Sequence, residues 1–228
     1  MIMRKVAVSA VMAVALGAMA ACSAGRTTTD EQSYEISEQV TALTVDGKAA
    51  VVTVEGGEGP VTVTEIYRYA DDRPGTSHRL DGATLRLSDT GCQNDEGRCD
   101  VEFRVRVPSA TTVTVTTKAG AVKVNGLTGN VTVTTDAGVV EANRLAGDEV
   151  TVTTQAGATS LEFVEPPTSV KVSTQLGAVD VRLPSGTAYA VDVATGVGAS
   201  DVSVQRDAAS AHRIQIKTEV GAVKVKNT

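Results

Sequence analysis

The chain has 228 residues, of which 42% are hydrophobic and 3% are aromatic, and it contains no Trp. That hydrophobic content excludes a disordered chain, and the length suffices for one domain with a sizeable core. The net charge of −6 at pH 7 argues against a nucleic-acid-binding protein. The abundance of Val, Thr, Ala and Gly favours strands and turns over helices.

The first 21 residues have the layout of a secretory signal. Arg4 and Lys5 precede an apolar run, Val6–Ala21, that is short for a membrane span and is followed by polar residues. We therefore predict an exported protein, with an uncleaved N-terminal anchor as the alternative. Removal of residues 1–21 leaves 19 basic and 27 acidic residues, a net charge of −8. Attraction to anionic lipid through charge is therefore not expected.

The segment Met19–Cys22, "MAAC", resembles the lipobox of bacterial lipoproteins, whose cysteine is lipidated and becomes the new N-terminus. Met19 stands where Leu is usual, and cleavage after Ala20 by an ordinary signal peptidase is the alternative. The resemblance implies a lipoprotein-type signal peptide over residues 1–21 and a lipid anchor on Cys22. The protein would then be held at the outer face of the bacterial cytoplasmic membrane. Residues 22–37 are polar and lack periodicity, which predicts a flexible tether.

Cysteine usage supports this interpretation. Three cysteines are an odd number for an exported chain. If Cys22 carries lipid, Cys92 and Cys99 remain to pair in an oxidising compartment and to close a small loop. A metal site at these two thiols is the weaker alternative, because no nearby His completes a tetrahedral set. We expect neither a metal nor a cofactor.

Residues 38–112 are predicted to form irregular N-terminal β rungs within one domain that covers residues 38–228. The region contains two apolar runs between Leu43 and Pro60, a strand-like segment that starts at Val61, and the alternating segment "VEFRVRVP". We expect a hairpin here, together with the Cys92–Cys99 loop, to cover one end of the following repeat.

Six copies of one pattern make up the rest of the chain. They begin at Val113, Val131, Val150, Val170, Val191 and Ile214. In each copy, apolar residues recur two and eleven positions after the first residue, a Thr lies four positions after it, and a Gly lies seven positions after it. The glycines are Gly120, Gly138, Gly157, Gly177, Gly198 and Gly221. Successive copies start 18 to 23 residues apart, and all the added length falls after the second apolar segment.

A segment of constant length followed by a corner of variable length is typical of stacked solenoid turns and not of an antiparallel sandwich. We therefore predict an all-β protein in which residues 113–228 form a regular parallel β-solenoid, or β-helix, of about six rungs of 18–23 residues. Alternation places the leading Val residues inside and the repeat Gly at a corner. The Thr in the fourth position has inward parity, so we expect its hydroxyl to be satisfied within a ladder or by the bend backbone. In the last copy, Lys224 and Lys226 are expected to protect an open edge.

Two outward-facing columns of Thr form a candidate binding face for a polymer or a partner protein. They comprise Thr114, Thr116, Thr132, Thr134, Thr151 and Thr153. An ordinary exposed strand surface is the alternative, because Thr is common in strands.

Asp180 and Asp201 hold the same outward position in successive copies and could share a cation or a proton, as a glycan-cleaving β-helix enzyme would require. A solvated face is favoured, because the opposite charges of Lys123 and Glu141 occupy the same column. His78 and His212 lie in polar, loop-like segments without a nucleophile, so we predict no catalytic residues.

The repeated "V-x-V-x-T-x-x-G" copies, "VRVP" at Val105–Pro108 and "VDVRLPSGTAYAVDVATGVG" at Val179–Gly198 resemble the putative-adhesin family of bacterial envelope proteins over roughly residues 40–228. The resemblance implies a β-solenoid in an envelope setting, without established catalytic residues. We thus expect a non-enzymatic lipoprotein that binds wall polymer or an envelope protein and no nucleic acid. A glycan-degrading β-helix enzyme and a structural spacer without a specific ligand are the alternatives.

Overall fold

The computed structural model describes residues 27–92 and 98–228. Within these ranges the protein is all-β, and its sixteen strands form one hydrogen-bonded sheet. No helix long and apolar enough to cross a membrane occurs in the described ranges. The strands are β1 Thr28–Ile36, β2 Ala42–Gly57, β3 Val61–Tyr69, β4 Gly75–Asp81, β5 Thr84–Gly91, β6 Cys99–Pro108, β7 Thr112–Asn125, β8 Val131–Leu145, β9 Glu149–Ala156, β10 Thr159–Phe163, β11 Ser169–Leu176, β12 Val179–Leu183, β13 Ala190–Val197, β14 Ser200–Ser203, β15 Arg213–Val220 and β16 Val223–Asn227.

Each repeat copy supplies two strand segments that meet at the repeat Gly. Equivalent segments of neighbouring copies pair in parallel and in register, as Val113, Val131 and Val150 do. In the first two copies both segments belong to one long strand, whereas later copies divide into two strands. The β-solenoid-like repeat predicted from the periodicity is therefore present.

The pairing produces two ladders that share a corner at the repeat glycines. In spatial order the first ladder contains β4, β5, β2, β7, β8, β9, β11, β15 and β13. The second contains β1, β3, β6, β2, β7, β8, β10, β12, β16 and β14. Strands β2, β7 and β8 belong to both ladders because each bends at the corner. The core lies between the two ladders, where the leading Val residues of the copies are buried.

A side chain on the repeat glycines has no room at this corner. A Cβ on Gly138 would lie 1.7 Å from the carbonyl oxygen of Gly120, and the φ angle of Gly138 is 156°. The same close approach recurs at the other five repeat glycines, to Ala50 of β2 for Gly120 and to the repeat Gly of the neighbouring copy for the rest. The corner position predicted for them is correct, and it follows from direct stacking of backbone on backbone.

The copies are not stacked in chain order. Strand β15 lies between β11 and β13, so that Ile214 pairs with Val170 on one side and with Val191 on the other. The copy that starts at Val191 therefore forms the outer edge, and its Val191 and Val193 stay partly exposed. The larger side chains of Ile214 and Ile216 take the enclosed position and are at most 2% exposed.

The prediction that Lys224 and Lys226 protect an open edge is wrong. Both residues lie in β16, which pairs with β12 on one side and with β14 on the other. The edge strands at this end are β13 and β14.

The N-terminal region extends both ladders. Strands β5 and β6 pair in parallel with the two halves of β2, and β4, β3 and β1 are added antiparallel. The flexible tether predicted over residues 22–37 is wrong for residues 28–36, because β1 pairs with β3 along its whole length. Alternation within β1 turns Tyr34 and Ile36 toward the core. The predicted signal peptide and Cys22 lie outside the described residues.

Candidate functional site

The outer surface of the first ladder is an array of polar side chains in register. Thr114, Thr132 and Thr151 are direct cross-strand neighbours, and so are Thr116, Thr134 and Thr153. All six side chains are exposed or half-exposed. On β2, Thr44 and Asp46 continue the two columns at one end. The structure thus brings together all six Thr residues of the predicted face.

At the other end, the array passes into a shallow depression of about 420 Å³. Lys171 and Ser173 on β11 follow the Thr columns directly, and Gln215 and Lys217 on β15 come next. The polar lining consists of Thr151, Thr153, Lys171, Ser173, Gln215, Lys217 and Asp192. We define the polar face as two outward columns of residues that cross the first ladder. They begin at Thr44 and Asp46 on β2 and end at Asp192 and Ala194 on β13.

The sequence alone did not place Gln215 and Lys217 in this site. Chain order puts Asp192 and Ala194 directly after Lys171, but β15 is inserted between their strands. The depression therefore contains hydroxyl, amide, ammonium and carboxylate groups within a few strand spacings. Such a mixture can hydrogen-bond a polyhydroxy or amide-rich chain in several places at once.

Asp180 and Asp201 do not stack on each other. Lys224 lies between them in register, so the two aspartates are two strand spacings apart, about 10 Å. The Asp180 carboxylate lies 3.4 Å from Nε of Arg182 and 3.5 Å from Nζ of Lys226. The carboxylate pair on adjacent turns, on which the glycan-cleaving alternative relied, is wrong because the last copy separates the two aspartates.

A family model described as Toastrack DUF4097 matches residues 35–228. The chain belongs to the Toastrack DUF4097 family. Among solved structures, this Toastrack chain resembles a putative cell adhesion protein from Clostridium sporogenes, with a TM-score of 0.59, 14% identity, and coverage of 88% of this chain and 100% of the other. A putative adhesin from Bacteroides fragilis matches with a TM-score of 0.47, 12% identity, and coverage of 88% and 97%.

At 14% identity, the likeness to the Clostridium sporogenes protein shows the fold alone. No curated protein matches the Toastrack chain. The family resemblance that the repeated motif predicted is confirmed.

The Cys92–Cys99 disulfide is present in this Toastrack chain, with a Cα–Cα distance of 6.0 Å. It joins the end of β5 to the start of β6 beside Lys48 and Ala49, at the corner where later copies have their repeat Gly. The small loop closure predicted from the cysteine spacing is confirmed. The bond ties the two ladders together at the irregular end of the Toastrack fold.

The two histidines have structural contacts. The ring of His78, in β4, stacks on Tyr34 with centroids 4.4 Å apart. Nδ1 of His212 lies 2.8 Å from the carbonyl oxygen of Pro167. In the described part of the chain, no group of three or more His, Cys, Asp or Glu is placed to hold a metal ion.

The N-terminal end of the Toastrack domain contains a buried polar cluster that the sequence did not predict. The Glu65 carboxyl group is 2% exposed and accepts hydrogen bonds from the hydroxyls of Tyr34 and Thr76, both at 2.6 Å, and of Tyr67. Burial, reinforced by the hydrogen bonds to Glu65, raises the pKa of Tyr34 and of Tyr67. The Arg73 guanidinium lies 3.7 Å from the centre of the Tyr67 ring.

This cluster connects strands β1, β3 and β4, which close the end of the stack. The sequence signal for it was an acidic residue with inward parity in "VTVTEIY", with Val63 and Tyr67 on the same side. Because the Glu65 oxygens are occupied by protein hydroxyls, we assign the cluster to holding the terminal strands together.

Proposed function

We propose that this Toastrack protein is a non-enzymatic lipoprotein of the bacterial cell envelope that binds wall polymer along its polar face. The signal-like segment over residues 1–21 and the lipobox-like "MAAC" support export and a lipid anchor on Cys22. The anchor would hold the domain at the outer face of the cytoplasmic membrane, within reach of the wall.

The observation that carries the binding proposal is the register of the polar face. Seven strands, from β2 to β13, present outward polar side chains at one strand spacing of about 4.8 Å. A long polymer lying across these strands would meet hydrogen-bonding groups at regular intervals over about 29 Å. Individually weak contacts of this kind add up when many are made by one chain.

The depression lined by Lys171, Gln215, Lys217 and Asp192 gives the face a polar end with both signs of charge. Amide and carboxylate groups, which peptide-bearing wall polymers carry, are natural partners for the two lysines and the Gln side chain. A discrete envelope protein would bind the same groups. It is the alternative that the experiment must distinguish from a wall polymer.

The first experiment is crosslinking of the full-length protein in intact cells, followed by mass spectrometry of the attached material. Wall fragments without a protein support the proposal, whereas one discrete protein would replace the polymer by a protein partner. Mass spectrometry of the mature N-terminus tests lipidation in the same preparation. A Cys22→Ser variant is expected to leave the membrane fraction.

A pair of variants tests the face itself. Thr132→Lys/Thr134→Lys changes the middle of the polar face, and Thr62→Lys/Thr64→Lys makes the same change on β3 in the other ladder. We expect the first variant to lose binding to isolated wall material and the second to keep it, while circular dichroism shows both folded. Unchanged binding by a folded Thr132→Lys/Thr134→Lys variant would eliminate this face as the binding site.

A further inference from the structure

Apolar residues flank every repeat Gly on the outside of the corner. They are Ala119 and Ala121, Ala137 and Val139, Ala156 and Ala158, Leu176 and Ala178, Val197 and Ala199, and Val220 and Ala222. We call these twelve residues the apolar ridge. The residues that precede the Gly are direct neighbours across the first ladder, in the order Ala119, Ala137, Ala156, Leu176, Val220 and Val197.

The larger side chains of the apolar ridge are exposed. Val139 is 41% exposed, Leu176 is 54%, Val197 is 67% and Val220 is 44%. The described chain has one further large apolar side chain of comparable exposure, Val164 at 53%, and it lies outside the ridge. Six strands in register make a strip about 24 Å long. The corner backbone needs the Gly but does not need Leu or Val beside it, so a continuous exposed strip points to a contact surface.

The chain enters the domain at this same corner. Cys99, in β6, pairs with Tyr69, and Tyr69 pairs with Thr28, the first residue of β1. These three residues lie at the corner ends of their strands, beside the Cys92–Cys99 disulfide. Because β1 starts at Thr28, only six peptide units separate it from Cys22. Even a fully extended chain of that length spans about 20 Å.

We propose that the apolar ridge lies on the surface of the lipid bilayer. The inference rests on the lipid anchor of Cys22 that is part of the proposed function, because a tether of this length brings the corner edge to the bilayer. The anchor supplies a high local concentration, so that even a narrow apolar strip can make the contact. With the ridge on the lipid, both ladders rise from the membrane, and the polar face remains open toward the wall.

The contact is apolar in origin. The residues one position before the ridge include Lys118, Asp136 and Glu219, which are of mixed sign, and the mature chain carries a net charge of −8. Anionic lipid therefore contributes no net attraction. Neutral phosphatidylcholine is expected to suffice.

The absence of Trp from the sequence provides the test, because one introduced Trp is a unique fluorescent reporter. Leu176→Trp places it on the ridge, and Val164→Trp places it at a similarly exposed apolar position elsewhere. Each lipidated full-length variant is reconstituted into phosphatidylcholine vesicles with and without brominated acyl chains. We expect a blue shift and at least twofold quenching by the brominated lipid for Leu176→Trp, and neither for Val164→Trp.

The outcomes separate this inference from the anchoring itself. If mass spectrometry finds lipid on Cys22 but Leu176→Trp is not quenched, or both variants are quenched equally, the ridge contact is wrong and the anchor stands. A blue shift that follows protein density and ignores bromine would assign the ridge to a second protein molecule and overturn the bilayer contact. An unmodified Cys22 would overturn both the anchor and the ridge contact. Quenching that requires anionic lipid would overturn the apolar origin.

Discussion

Asp180 has Lys224 as its cross-strand neighbour, although 44 residues separate them in the chain and Asp201 is only 21 residues away. The last copy of the repeat therefore enters the stack between two earlier copies. Its enclosed position buries Ile214 and Ile216, whereas the displaced copy leaves Val191 and Val193 partly exposed. The exchange places the larger apolar side chains where they lose the most contact with water.

Pairs of cysteines test this order of strands. Asp180→Cys/Lys224→Cys and Asp201→Cys/Lys224→Cys place thiols on adjacent parallel strands, with Cα atoms about 5 Å apart, within the range of a disulfide. The pair Asp180→Cys/Asp201→Cys is about 10 Å apart and cannot close without backbone movement. Under mild oxidation, peptide mapping is expected to find the first two crosslinks and not the third. If the Asp180→Cys/Asp201→Cys pair crosslinks as fast as the other two, the copies are stacked in chain order and the strand order described above is wrong.

The repeat Gly column makes a prediction about stability. In a Gly138→Ala variant, the new Cβ would meet the carbonyl oxygen of Gly120, so we expect the free energy of unfolding to fall by about 3 kcal/mol. Gly186→Ala is the control, because Gly186 also has a positive φ, of 86°, but nothing lies within 4 Å of its Cβ position. For this control we expect the free energy of unfolding to fall by about 1 kcal/mol, because the substitution adds backbone strain alone.

Urea unfolding followed by circular dichroism measures both variants. Equal losses would mean that the φ angle, and not the stacking of glycines, restricts the corner.

The sequence predicted those features that every copy repeats. The strand segments, their parallel register and the corner glycines follow from positions that recur at fixed spacing in all six copies. The two Thr columns follow from the same spacing in the first three copies. The order of the copies could not be predicted, because "V-x-V-x-T-x-x-G" fits equally well beside any other copy. The last copy differs from the others in having Ile214 and Ile216 where the other copies have Val. Ile and Val are equally apolar in a periodic pattern, so the pattern does not reveal this difference in size.

Two other features depend on contacts between distant parts of the chain. Strand β1 is mostly polar, and its apolar and aromatic residues become informative only when β3, about 30 residues later, pairs with it. The hydroxyl donors around Glu65 come from three different strands for the same reason. The Ala, Val and Leu residues beside the repeat glycines are visible in the sequence, but their exposure is not.

The inward Thr column gives a contrast between two substitutions. The prediction that these hydroxyls are satisfied by a ladder or by the bend backbone is correct for Thr117 and Thr135, which donate to the carbonyl oxygens of Ala119 and Ala137 at 3.0 and 3.5 Å. It is wrong for Thr154, Thr174 and Thr218, whose hydroxyls have no hydrogen-bond partner within the described ranges. A valine at Thr174 removes a buried, unpaired hydroxyl, so Thr174→Val should raise the free energy of unfolding by about 1 kcal/mol.

The matched change Thr117→Val removes a hydrogen bond and should lower that free energy by about 1 kcal/mol. Chemical denaturation of both variants against the parent protein is the measurement. A destabilised Thr174→Val variant would indicate that its hydroxyl is bonded in solution, for example to a buried water molecule.

The four tyrosines predict the alkaline behaviour of the protein. Burial raises the pKa of Tyr34, Tyr67 and Tyr189, and a hydrogen bond to Asp30 raises the pKa of Tyr69. Each raised pKa means that the folded state holds the phenol proton more tightly than the unfolded chain. The stabilisation is therefore fully present below pH 10, the ordinary tyrosine value, and is lost as the pH rises above it.

Absorbance at 295 nm, which reports phenolate, measures this directly. We expect the native protein to show little phenolate at pH 10, and the four phenols to ionise together at higher pH as circular dichroism reports unfolding. In concentrated urea the same phenols should titrate near pH 10. A Glu65→Gln variant should ionise Tyr34 and Tyr67 at a lower pH than the parent, since the carboxylate adds to the effect of burial on both. Ionisation of three or more of the four phenols near pH 10 with the fold intact must include Tyr34 or Tyr67, and it would contradict the burial of the Glu65 cluster that closes the N-terminal end of the stack.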